Sequence, residues 1–108
     1  MLYELRTYHA VPGKLGALND RFERHTLGFF ARHDIHAVGF WTTYIGADNQ
    51  VLIYLLQWPD LATREARWNA FMADSEWLAA KADTERDGPI VARVENSILT
   101  PAAYSALR

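Results

Sequence analysis

The segment Val51–Trp58 reads Val-Leu-Ile-Tyr-Leu-Leu-Gln-Trp and is apolar on both faces of a strand. Side chains alternate at a period of two, so Val51, Ile53 and Leu55 fall on one face and Leu52, Tyr54, Leu56 and Trp58 on the other. Such a strand must be covered on both sides. The segment 35–46 has the same character, with Phe40 and Tyr44 opposing Trp41 and Ile45. In a chain of 108 residues, helices can cover one face of a small sheet, and another layer must cover the second. A second copy of the chain is the simplest source of that layer.

The rest of the chain supplies the helices and two more strands. Residues 2–11 are rich in aromatic and β-branched side chains and run into the breaker pair Pro12-Gly13. Leu15, Leu18, Phe22, His25 and Phe29 then step by three, four, three and four, one stripe of a helix over 14–33. Strands follow at 35–46 and 50–58, joined by the turn cluster Gly46-Ala47-Asp48-Asn49. Asp60 caps a helix over 61–73, Asp74-Ser75 opens another over 75–83, and Asp87-Gly88-Pro89 stops it. A last strand spans 89–100. The order β-α-β-β-α-β predicts an α+β, ferredoxin-like domain over 1–108, with a four-stranded antiparallel sheet and helices on one face. Two such sheets packed face to face make a dimeric α/β barrel.

The first strand carries charge where a central strand is expected to be apolar. Leu2, Glu4, Arg6 and Tyr8 share one face; Tyr3, Leu5, Thr7 and His9 share the other. The fourth strand carries Arg93 and Glu95. A register pairing Arg6 with Glu95 keeps like charges apart. We therefore expect the charged face to lie in the interface between sheets and the apolar face to lie under the helices.

Composition removes several function classes. The chain has no cysteine, which excludes disulfides and thiolate chemistry. Its net charge of −2 lacks the basic footprint of a nucleic-acid binder. No run approaches the ~20 apolar residues that cross a bilayer, and Met1-Leu2-Tyr3-Glu4 does not open a signal peptide. A cytoplasmic protein without membrane insertion is expected. No phosphate-binding glycine loop, nucleophile elbow or paired carboxylates on an apolar helical turn are present, so no cofactor is expected.

The run Tyr3-Glu4-Leu5-Arg6-Thr7-Tyr8 with Pro12-Gly13-Lys14 resembles the opening motif of the NIPSNAP family. Val38-Gly39-Phe40-Trp41-Thr42-Thr43 with Ile45-Gly46 and Asn49-Gln50-Val51 resembles its central hairpin. Arg64, Arg67 and Asp74-Ser75-Glu76-Trp77 resemble its second helical region. The resemblance covers most of the chain. It implies the dimeric α/β barrel shared with small cofactor-independent monooxygenases and haem-degrading proteins, and a stand-alone member of bacterial type. It implies no reaction and no catalytic residue.

Among candidate functional residues, His25 lies on the helical stripe, either as a core or interface histidine or as a general base or haem ligand in a cavity between helices and sheet. His33-Asp34-Ile35-His36 spans a helix-to-strand junction with no defined metal spacing, and no metal site is expected there. Trp58, Trp68 and Trp77 read as core, whereas Trp41 stands beside the small residues Gly39 and Thr43 and suits a pocket wall. Thr7 and Asn69 are polar groups able to orient a ligand. The expected site places a small planar apolar molecule against Phe22, Phe29, Trp41 and Trp68, with Thr7, Asn69 and His25 as its polar partners. Oxidation of that molecule without a cofactor, by analogy of fold, and binding of a small apolar molecule or a protein partner by a non-catalytic dimeric module are the two functional expectations.

Overall fold

The computed structural model describes residues 1–108. The elements are β1 (Leu2–Ala10), α1 (Leu15–Arg21), a π-helical turn (Phe22–Thr26), α2 (Leu27–Arg32), β2 (His36–Thr42), β3 (Val51–Trp58), α3 (Leu61–Ala73), α4 (Ser75–Thr84) and β4 (Val91–Leu99). The four strands form one antiparallel sheet in the order β2-β3-β1-β4. This is the α+β, ferredoxin-like arrangement read from the pattern. No helix is long and apolar enough to cross a membrane.

Local chemistry sets the element boundaries. The Asp60 carboxylate accepts the backbone N–H of Thr63 at 2.7 Å and opens α3. Asp74 accepts from Glu76 N and Trp77 N and opens α4. Gly13 and Gly88 take positive φ at the turns that end β1 and precede β4. The β2 strand stops at Thr42, short of the expected 46, and Tyr44 and Ile45 are almost fully exposed. Asp48 holds the connection by accepting from Gln50 N at 2.8 Å, a wider loop than the compact hairpin expected.

The helices pack on one sheet face. There Leu18, Phe22, Phe30, Phe71 and Trp77 meet Leu52, Tyr54, Leu56 and Trp58. Phe22, Phe30, Phe40 and Tyr54 form an aromatic cluster with centroids 5.2–6.3 Å apart; each such pair contributes about 0.5–1.5 kcal/mol beyond burial.

Two expectations about the sheet are corrected. Glu4, Arg6 and Tyr8 point toward the helices, not into a sheet–sheet interface, because Arg6 pairs across the strands with Tyr54 and Asn96 in a row on the helix side. The strand opposite Arg6 in β4 presents Asn96, and Glu95 stands opposite Thr7. The register thus differs by one residue from the Arg6–Glu95 pairing, and a one-residue slip sends every side chain to the other face. Leu52 and Leu56 belong to the helix-side core as well. The face left uncovered carries Leu5, Thr7, Ile53, Leu55 and Trp41, with Leu5 37% and Trp41 52% exposed.

The first helix also departs from a simple stripe. Besides the buried Arg21, its buried positions are Leu18, Phe22, Thr26 and Phe30, a constant step of four. The π-helical turn inserts one residue into the α-helical repeat. Downstream of it Thr26 and Phe30 turn inward in place of His25 and Phe29.

Candidate functional site

The sequence places five charged or hydroxyl-bearing groups of β1, β3 and α3 in the middle of the helix–sheet layer, and they satisfy one another. The Glu4 carboxylate is fully buried and accepts five hydrogen bonds: Trp58 Nε1 at 3.0 Å and Arg64 Nε at 2.7 Å on Oε1, and Arg6 Nη1 at 2.8 Å, Arg64 Nη2 at 3.0 Å and Asn96 Nδ2 at 2.9 Å on Oε2. Burial alone would raise its pKa; the bonds from Arg64, Asn96 and Arg6 outweigh burial and hold the carboxyl at about 2. Arg6 continues the network: its Nε donates to the Tyr54 hydroxyl at 2.9 Å and its Nη2 to the Tyr8 hydroxyl at 3.4 Å. Its guanidinium lies 4.3 Å from the Trp68 ring centroid. Burial opposes the Arg6 charge, but Tyr54, Tyr8 and Glu4 favour it and the pKa is raised. Burial also pushes the Tyr54 phenol well above its ordinary value.

Beside this network a cavity of about 410 Å³ opens between the helices and the sheet. That volume falls in the range of small-molecule sites. Phe22, Phe30, Trp68, Phe71 and Trp77 form apolar walls, and Val91 and Val94 of β4 form the edge of the floor. Arg6, Tyr8, Arg21, Lys81 and Glu85 supply the polar lining. Arg21 is buried and donates to Glu85 at 3.0 Å, and its guanidinium lies 5.9 Å from the Trp77 ring centroid. The Arg21 Nε and Trp77 Nε1 groups are buried and meet no acceptor.

The structure brings only part of the expected site together. Phe22 and Trp68 line the cavity. Phe29 stands behind the wall, its ring 5.7 Å from Trp77. His25 turns away from the cavity into a polar recess with Asp20, Arg24, Asp83 and Arg86, because the π-helical turn has moved the inward position to Thr26. Trp41 lies on the uncovered sheet face, its ring against Gly39, where an added Cβ would come within 2.8 Å. It borders a shallower recess at the β2 edge with Phe22, Leu27 and Phe40, and shares no cavity with His25. Thr7 is in the same open-face row as Ile53 and Glu95. Asn69 is exposed on α3. His33 Nε2 donates to the Asp74 carboxylate, 2.7 Å away, and serves the junction between α2 and α4.

Of the cavity residues, the pattern did not single out Tyr8, Arg21, Lys81 and Glu85, and it read Arg6 only as a cross-strand ion-pair partner and Trp77 only as core. One signal was available for two of them: Arg6 and Tyr8 share the strand face of Glu4, so locating any one of the three locates the others.

These features define a two-layer α+β protein with one antiparallel sheet, a buried ionic network and a cavity between its layers. The NIPSNAP family model matches residues 3–106, and the chain belongs to the NIPSNAP family. Among solved structures it is similar to a NIPSNAP family protein with unknown function from Agrobacterium tumefaciens, at 30% identity and a TM-score of 0.86, covering 100% of this chain and 94% of that one. It is also similar to an uncharacterized NIPSNAP domain protein from Burkholderia xenovorans, at 26% identity and a TM-score of 0.83, covering 97% and 98%. At 12% identity and a TM-score of 0.64, covering 97% and 98%, the fold is shared with MhuD, which was solved with two manganese protoporphyrin IX molecules per active site. No curated protein matches the sequence.

Proposed function

We propose that the chain acts as a homodimer, one domain over residues 1–108 in each subunit, and that each subunit binds a small planar apolar molecule in its helix–sheet cavity in the cytoplasm. The observation that carries the binding is the cavity itself: about 410 Å³, with aromatic rings from the first helix, α3 and α4 as walls. A folded core normally closes such a space, since interiors pack to near-crystalline density. The homodimer is supported by the uncovered sheet face with Leu5 and Trp41 exposed, and by a hydrophobic core of only 14 of the 18 buried residues among 108, small for a chain that must stand alone. In this reading Phe22 and Trp68 contact the ligand, Phe29 supports Trp77, and Thr7 and Trp41 belong to the interface between sheets. Nothing in the cavity assigns His25 a role as acid or base, which favours binding over catalysis.

Mass spectrometry of the purified protein under native and denaturing conditions tests the reading. A retained or added planar aromatic molecule with one equivalent per subunit, on a particle of twice the chain mass by light scattering, is the expected result. A monomer at micromolar concentration removes the dimer. Binding that survives replacement of both Phe22 and Trp68 by alanine in a folded protein removes the site. Oxygen uptake on adding an aromatic quinol would move the protein from binding module to catalyst.

A further inference from the structure

We propose that the cavity takes a planar organic acid, with the anionic oxygens seated among Tyr8, Arg21 and Lys81 and the apolar body against Phe22, Phe30 and Trp68. The inference rests on the cavity reading above and specifies the ligand's charge.

Charge balance is the first argument. The cavity lining holds Arg6, Arg21 and Lys81 against a single carboxylate, Glu85. The network behind it adds Glu4 and Arg64. Four cations thus face two carboxylates, and Glu4 is already saturated by five donors. Lys81 forms no ion pair within the chain, whereas the Glu85 carboxylate is held by Arg21. An excess of buried or half-buried positive charge is costly in a low-dielectric layer and is relieved by an anion.

Hydrogen-bond balance is the second and independent argument. The Tyr54 hydroxyl accepts from Arg6 Nε and donates to the Tyr8 hydroxyl at 3.0 Å. The Tyr8 oxygen therefore accepts from both Arg6 and Tyr54. Two phenols carry two protons between them, and only one is used in the Tyr54–Tyr8 bond. Tyr54 is fully buried and Tyr8 lines the cavity, so the proton left over belongs to Tyr8. Arg21 Nε and Trp77 Nε1 are two further donors without acceptors, on lining residues of two different helices but closed off from the cavity space itself. Thr26 spends its hydroxyl on the Arg21 carbonyl. The lining is thus rich in donors and poor in acceptors. A carboxylate, with two oxygens and about four acceptor positions, is the group that answers the Tyr8 proton and the Arg21 and Lys81 cations of the lining at once. The aromatic walls fix the rest of the molecule as flat and apolar.

The test is a titration of three acid–amide pairs, benzoate with benzamide, cinnamate with cinnamamide and naphthoate with naphthamide, followed by tryptophan fluorescence at neutral pH. Each pair keeps shape and changes charge. At least one acid should bind ten times or more tightly than its amide. Tyr8→Phe, which keeps the ring and removes the proton, and Lys81→Met should each weaken the acid several-fold, and Lys81→Met should leave the amide unchanged. Retention of the fold in both variants is read from the far-ultraviolet spectrum. Acid and amide binding equally, or acid binding indifferent to both variants, overturns the anion proposal and leaves the cavity reading intact. Failure of all six molecules overturns both.

Discussion

Replacing Glu4 by glutamine preserves shape and removes one charge at the centre of the helix–sheet layer. Glutamine keeps one acceptor oxygen, which can still serve Trp58 and Arg64 Nε. Its amide nitrogen then faces Arg6 Nη1, Arg64 Nη2 and Asn96 Nδ2, three donors that now meet a donor. Arg64 is partly exposed and can turn to water, whereas Arg6, 8% exposed, cannot. The dominant loss is therefore an uncompensated buried guanidinium, about 3–5 kcal/mol. For a domain of this size that is a fall of roughly 15–30 °C in Tm. Urea unfolding at one fixed protein concentration, followed by tryptophan fluorescence, measures the loss; fixing concentration matters because association adds to apparent stability. The double variant Glu4→Gln with Arg6→Met should regain part of it, since the charge is gone with its partner. A loss below about 1 kcal/mol for Glu4→Gln would mean that Arg6 is solvated, and would refute the buried network.

The other expectations concern the open face and pH. Leu55→Lys on the uncovered face should give a folded monomer by light scattering, whereas Leu56→Lys in the helix-side core should unfold the chain; a dimer that survives Leu55→Lys places the interface elsewhere. Gly39→Ala should displace the exposed Trp41 ring, leaving thermal stability of the subunit unchanged but weakening dimerisation on dilution. The Glu4 carboxyl is held at about 2 against an ordinary 4.5. The unfolded chain therefore takes up this proton first, so the stabilisation is complete above about pH 4.5 and is lost as pH falls through 2. Asp74, lowered to about 2 by hydrogen bonds from His33 and Arg32, works in the same direction over the same window. Urea midpoints that stay flat between pH 5 and pH 2.5 would contradict both assignments.

How much of this was legible depended on the range of the interactions involved. Strand and helix order, the caps at Asp60 and Asp74 and the two-sided β3 all follow from neighbours within a few residues, and the structure has them. The grouping of Glu4, Arg6 and Tyr8 on one face was equally local and is correct. The side that face turns to was not local. Its burial depends on Arg64, Trp58 and Asn96, residues distant in sequence that neutralise the charges only once the fold exists. Without those partners, charged side chains read as belonging away from the core. The β1–β4 register fell one residue off because pairing from charges favours Arg6 with Glu95, while the real ladder slips between His9 and Ala10. The fold places His25 outside the cavity for a different reason: a uniform 3.6-residue period cannot reveal one inserted residue.

That inserted residue has a consequence for the history and engineering of the chain. The inward positions Leu18, Phe22, Thr26 and Phe30 step by four across the π-helical turn. Deleting one exposed residue between Phe22 and Thr26 would turn the steps into four, three and four, the spacing of an ordinary α-helix, with every inward side chain still in phase. The turn is thus a place where the helix can shed a residue and keep its core: Glu23 and Arg24 are both exposed. A shortened chain lacking Glu23 should fold at least as well as the present one. The Arg21 carbonyl that the Thr26 hydroxyl now serves across five residues would then stand four residues before it, the position a helical threonine hydroxyl ordinarily bonds.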